Sequence, residues 1–175
     1  MKNLKTLFLI VSLILMTFSC KEDKVVKKDT TTVSTFYFIR HAEKDRSNLE
    51  DTNPELNQDG LGRAVRWAEV FDPIALDEIY TTDYQRTSMT AAPTSVKKDI
   101  EVKYYSPEDV NIKQFIQDHK GKNVLVVGHA NSTPSFVNKI IGEEKYEAMG
   151  DYDNSSFFIV RFIGDNPTDI RLKMD

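Results

Sequence analysis

The chain reads as an α/β domain, a mostly parallel central sheet flanked by helices. Three observations lead there. Short apolar runs of strand length alternate with longer segments whose apolar residues recur at helical spacing. Two of the runs, 35–39 and 124–127, are apolar enough to be buried strands. Each then ends in a polar cluster, Arg40-His41-Ala42-Glu43-Lys44 in one case and Gly128-His129-Ala130-Asn131-Ser132 in the other. Open α/β sheets place ligand sites at such strand tips.

The N-terminus precedes the fold. Two lysines within residues 1–5 and an apolar run over 7–16 form the n-region and h-region of a secretory signal. The run is shorter than the ~20 residues a membrane-spanning helix needs. Cys20 is the only cysteine, so the chain has no internal disulfide. Its place just after the h-region resembles the lipidated cysteine of a bacterial lipoprotein. Thr17 and Phe18 depart from the usual lipoprotein pattern, and a plain secreted protein is the alternative. The expected organisation is a signal over 1–19, a charged, Thr-rich flexible tether over 20–34, and one domain over 35–175. The expected location is the cell envelope, lipid-anchored through Cys20 on the periplasmic or the surface-exposed face of the outer membrane. Net charge is −4 and basic residues are scattered, which speaks against a nucleic-acid partner.

Within the domain the first strand starts near Val33, and 45–54 is a charged loop. Asn57 is a helix N-cap with Asp59 in the first turn, against the dipole. Leu61, Ala64, Val65, Ala68 and Phe71 form the apolar face of that helix, and Pro73 stops it. Ile79-Tyr80 is a short strand. A helix over 84–92 is expected to stop at Pro93. A third strand spans Ile100 to Tyr104. A helix presenting Val110, Phe115 and Ile116 ends at Gly121, and His119 near its C-terminus is structural. After the strand Val124 to Val127, Pro134 opens the next helix, which faces inward through Phe136, Val137, Ile140 and Ile141. Ser156 to Phe162 is a fifth strand, and Asp169 to Met174 is a candidate edge strand.

The chemistry lies at the tips. Two of the three histidines directly follow apolar strands, and one has an arginine immediately before it. Arg86 lies six residues beyond Tyr80, near a helix start. Brought together, Arg40, His41, Arg86 and His129 surround one spot with two guanidiniums and two imidazoles. Guanidinium matches phosphate oxygens in bidentate fashion. The helix starting near Ser132 adds backbone N–H groups at its positive end.

These segments resemble the histidine phosphatase superfamily, the phosphoglycerate-mutase-like group. Arg40-His41-Ala42 resembles its Arg-His-Gly signature, and Leu56 to Ala64 its Leu-Thr-x-x-Gly-x-x-Gln-Ala segment. Thr81 to Ala91 resembles its Ser-x-x-x-Arg-x-x-x-Thr-Ala helix start, and Gly128-His129-Ala130-Asn131-Ser132 its second-histidine motif. The segments occur in the family's order across residues 35–141. The resemblance implies a small-domain member without a large cap, its cleft open to an exposed phosphoryl group. It implies a phosphatase in which His41 becomes phosphohistidine, with Arg40, Arg86 and His129 holding the phosphoryl oxygens. It calls for no cofactor and no metal. The substrate is a phosphorylated small molecule or a phosphoprotein.

The general acid is less plainly marked. Ala130 stands where the acid-phosphatase branch has Asp, and no Glu closes the third strand. Glu43, two residues past the nucleophile, is the first candidate, followed by Glu108 and Asp109. A salt bridge is the competing role for Glu43. Asn131 is the candidate additional phosphate ligand, ahead of Asn48. A phosphate-binding lipoprotein of the same fold without turnover is the alternative function. The intact Arg40, His41, Arg86 and His129 set argues against it.

Overall fold

The computed structural model describes residues 31–174. The expected signal, Cys20 and the tether up to residue 30 lie outside them. Ten elements follow in order: β1 (Val33–Arg40), α1 (Gln58–Phe71), β2 (Glu78–Thr81), α2 (Gln85–Lys98), β3 (Val102–Tyr104), α3 (Ile112–Asp118), β4 (Asn123–Gly128), α4 (Ser132–Ile141), β5 (Ser156–Ile163) and β6 (Asn166–Lys173). They form a six-stranded sheet in the order β3-β2-β4-β1-β5-β6. The four strands from β3 to β1 are parallel, β5 runs antiparallel to β1, and β6 runs antiparallel to β5.

The strand period of two divides β1 and β4 between two cores. Phe36, Phe38, Val124 and Val126 pack against Phe115 of α3 and Phe136, Val137 and Ile140 of α4. Ile39, Leu125 and Val127 pack on the opposite face against Trp67 and Phe71 of α1 and Ala91 of α2. Both central strands are thus covered on both sides, which is why they read as unbroken apolar runs.

Several boundaries moved from the sequence expectation for local reasons. The Asn57 cap forms, its side chain accepting from Gly60 N at 2.9 Å. The buried face of α1, however, is Gly60, Ala64, Trp67, Ala68 and Phe71, while Leu61 and Val65 are left exposed. Pro93 does not stop α2, which continues to Lys98. A proline here forfeits one backbone hydrogen bond, but Thr90, Ala91 and Thr94 on the same helix are buried and hold it in place. The stop is Asp99 instead, in the left-handed region at φ 54°, its N–H reaching Ser95 and Val96 carbonyls. That stop also shortens β3. Ile100 donates its N–H to Ser95 O (3.1 Å) and accepts from Ser95 Oγ (2.6 Å), so neither group can join the sheet. Val110 precedes α3, whose cap is Asn111.

Candidate active site

β1 and β4 are neighbours in parallel register, with Arg40 opposite Gly128. The next residue on each strand is a histidine, so His41 and His129 leave the sheet side by side. His41 N donates to Gly128 O at 2.9 Å, and the ring centroids are 5.5 Å apart at 63°. β2 flanks β4 on its other side, and the turn after it starts α2 with Arg86 in the first turn. Arg40, His41, Arg86 and His129 therefore share one cleft of about 500 Å³, walled by Lys44, Tyr84, Tyr105, Glu108 and Asn131 among others.

His41 is held in one tautomer. Its Nδ1 lies 2.7 Å from Ala42 O, and a carbonyl only accepts, so Nδ1 carries the proton. Nε2 keeps its lone pair. Burial, followed by the charges of Arg40, His129 and Arg86, lowers the pKa to about 3, against the raising effect of the Ala42 bond. The ring is neutral at neutral pH, with the Nε2 lone pair available. The peptide joining His41 to Ala42 is pinned from both sides: Asn154 Nδ2 donates to His41 O at 2.8 Å, and Ala42 N donates to Thr90 Oγ1 at 2.9 Å.

Arg40 is oriented by the loop between α4 and β5. Its Nη1 donates to Gly150 O at 2.9 Å, and Nη2 is 3.4 Å from Asp151 Oδ1. Asp153 anchors the far end of that loop, accepting from Ser156, Arg171 and Lys173. Arg86 lies with its guanidinium 4.3 Å from the Tyr84 ring centroid. Arg40 Nε and Arg86 Nε and Nη1 are buried and have no acceptor among the described residues. Donors of this kind, unpaired beside a cleft, suit an anion with several oxygens.

His129 is half-buried, its Nε2 2.8 Å from Thr82 Oγ1. Burial first, then Arg86 and Arg40, lowers its pKa to about 4, with Glu108 opposing. The backbone before it is crowded. A Cβ on Gly128 would lie 2.8 Å from Thr133 Oγ1 and 2.9 Å from Tyr105 Oη, so only glycine fits.

Glu43 does not reach the cleft. Arg63 Nε holds both its oxygens, at 2.8 and 3.1 Å, in a partly buried pair. The chain after His41 turns to bridge Lys44 with Leu56, and that turn carries Glu43 away towards α1. Of the remaining acids, Glu108 lines the cleft and Asp109 does not. Asn131 lines it at the mouth of α4, while Asn48 caps its own loop turn at Glu50 N. His119 packs in the core, bonded to Phe115 O and Tyr80 Oη.

Sequence reasoning assigned no role to Thr82, Thr90, Asn154 or Asp151. The two threonines sit inside the segment around Arg86, where the small hydroxyls Thr82, Thr87, Ser88 and Thr90 recur and were a usable signal. Asn154 and Asp151 carry no local signal. They reach the site because β5 is antiparallel, which sets its N-terminal start beside the C-terminal tip of β1, Phe157 opposite Ile39.

Residues 36–106 match the family model of the histidine phosphatase superfamily (branch 1). No curated protein matches significantly. Among solved structures, a mycobacterial glucosyl-3-phosphoglycerate phosphatase superposes with a TM-score of 0.62 at 15% identity, covering 82% of this chain and 100% of that one. The protein histidine phosphatase SixA complexed with tungstate gives 0.62 at 10%, covering 79% and 96%. A phosphoserine phosphatase mutant from Entamoeba histolytica gives 0.61 at 16%, covering 77% and 94%. These likenesses concern the fold, which is that of small histidine phosphatase domains. In the matched segment the chain is similar to the histidine phosphatase superfamily, and its architecture is that of the small histidine phosphatase domains.

Proposed function

We propose that this protein is a phosphohydrolase that removes phosphoryl groups from phosphomonoesters or from phosphohistidine by way of a covalent phosphohistidine on His41. The observation behind this reading is the Nδ1 contact to Ala42 O, which leaves Nε2 unprotonated beside Arg40, Arg86 and His129. In the first step Nε2 attacks phosphorus and the bond from phosphorus to the leaving oxygen breaks. Arg40, Arg86 and His129 take the charge spread over the other oxygens, with Asn131 at the rim. Glu108 gives its proton to the leaving oxygen, the part first considered for Glu43. In the second step water attacks the phosphohistidine, Glu108 takes a proton from that water, and inorganic phosphate leaves with Nε2 restored. The guanidiniums supply the positive charge, so turnover needs no metal.

The cleft is walled by short loops, which suits phosphoryl groups on small molecules or on protein side chains. We also place the enzyme at the cell envelope, tethered by lipid on Cys20. Incorporation of labelled fatty acid into the wild type and not into Cys20→Ala would support that location.

Full-length protein is expected to hydrolyse an aryl phosphate in excess EDTA, and His41→Ala to abolish turnover. Glu108→Gln is expected to slow alkyl phosphates by about 10²-fold or more, and aryl phosphates less, because a good leaving group needs little protonation. Tight phosphate binding with no turnover on any phosphoester would instead favour the silent binder.

A further inference from the structure

Four contacts behind His129 form a chain with only one consistent arrangement of protons. Thr87 Oγ1 lies 2.8 Å from Thr82 O and 2.9 Å from Tyr84 O. Both are carbonyls, so the single Thr87 hydroxyl proton goes to them. Thr87 Oγ1 is then left as an acceptor, 3.1 Å from Thr82 Oγ1. The Thr82 hydroxyl in turn has two neighbours, Thr87 Oγ1 and His129 Nε2, the latter at 2.8 Å. If Thr82 donated to His129, two hydroxyl oxygens would face each other with no proton between them. Thr82 is 2% exposed and Thr87 is fully buried, so no solvent relieves that clash. If Thr82 donates to Thr87, every contact is satisfied, and His129 Nε2 must carry the proton.

We infer that Thr87 and Thr82 act as positioning residues that fix His129 as the Nε2–H tautomer, with its Nδ1 lone pair free. The inference rests on the proposed phosphoryl-transfer reading only for its consequence, not for the proton order itself. His41 carries its proton on Nδ1, so the two rings are held in opposite tautomers. Each keeps one ring nitrogen without a proton and without a partner among the described residues. His129 therefore meets a phosphoryl group as a proton acceptor. A phosphate monoanion can share its own proton with Nδ1, and the resulting imidazolium then lies against the dianion's charge. Low pKa values at both rings fit this arrangement, since neither is protonated before the ligand arrives.

The test is nitrogen-15 NMR of the imidazoles in full-length protein near pH 7. Wild type should show His129 protonated at Nε2 and His41 at Nδ1. Thr87→Val, which does not touch either ring, frees the Thr82 hydroxyl to donate to His129. The His129 signal should then switch to the Nδ1–H form while His41 is unchanged. Thr82→Ser should keep the wild-type pattern, and Thr82→Val should lose the fixed tautomer. Thr87→Val should also lower kcat/KM about tenfold, with Thr82→Ser near wild type. His129 protonated at Nδ1 in wild type, or no change in Thr87→Val with the fold intact, overturns the relay. Since the NMR reads tautomers without turnover, a protein that shows the predicted pattern but hydrolyses nothing would refute the proposed function and leave the relay standing.

Discussion

A histidine buried among cations keeps one ring nitrogen free of protons. At His41 those cations and burial act in the same direction. Its pKa falls to about 3 from 6.5, so the folded state binds its proton less readily than the unfolded chain does. Between pH 6.5 and about 3 the unfolded state therefore holds more protons, and stability drops as the pH falls through that window. The contribution is fully present above pH 6.5. His129, lowered to about 4, adds in the same sense. Thermal unfolding followed from pH 7 to pH 4 should show a steeper loss of Tm in wild type than in His41→Gln. Equal slopes would mean that His41 is not held neutral by its surroundings. Burial explains why Arg40 needs the carbonyl of Gly150 and the carboxylate of Asp151 beside it. A guanidinium lowered by burial keeps its charge through such partners.

Among the elements, the start of α1 packs closely on the segment that follows β1. Its first turn lies against Glu43, and Asn57 N donates to Glu43 O at 2.9 Å. A Cβ on Gly60 would come within 2.1 Å of that same carbonyl. Gly60→Ala should destabilise the protein by about 1–3 kcal/mol, as overpacking does, read as a lower midpoint in denaturant. It should also cut activity, because the displaced segment follows His41. An unchanged midpoint would show that the helix can slide away. The helix α2 shows the opposite lesson. Pro93 is a local stop signal, yet a buried threonine and alanine face outweighs one missing hydrogen bond. Propensity read along the chain placed that end wrongly because the deciding contacts are with the sheet and α1.

For the whole molecule, the parallel four-strand half and the antiparallel β5–β6 half meet at β1, and the cleft opens where β1 and β4 end. A phosphate ion bound there would tie together β1, the start of α2 and the mouth of α4. Phosphate at about 100 times its Kd should stabilise the fold by about 2.7 kcal/mol, seen as a rise in Tm of several degrees. Arg86→Gln should lose most of that rise, and a full rise in this variant would place the anion elsewhere. The sequence by itself determined the α/β class, the two buried strands with histidines at their tips, and the four residues Arg40, His41, Arg86 and His129, because each is announced by local pattern and motif order. Only the tertiary structure decided that Glu43 is bound by Arg63 while Glu108 faces the cleft, and that Asn154 and Asp151 support His41 and Arg40. The reason is physical: a strand's apolar pattern fixes where its tip falls, whereas the direction of a loop carboxylate or amide depends on partners 20 to 113 residues away, which no local pattern encodes.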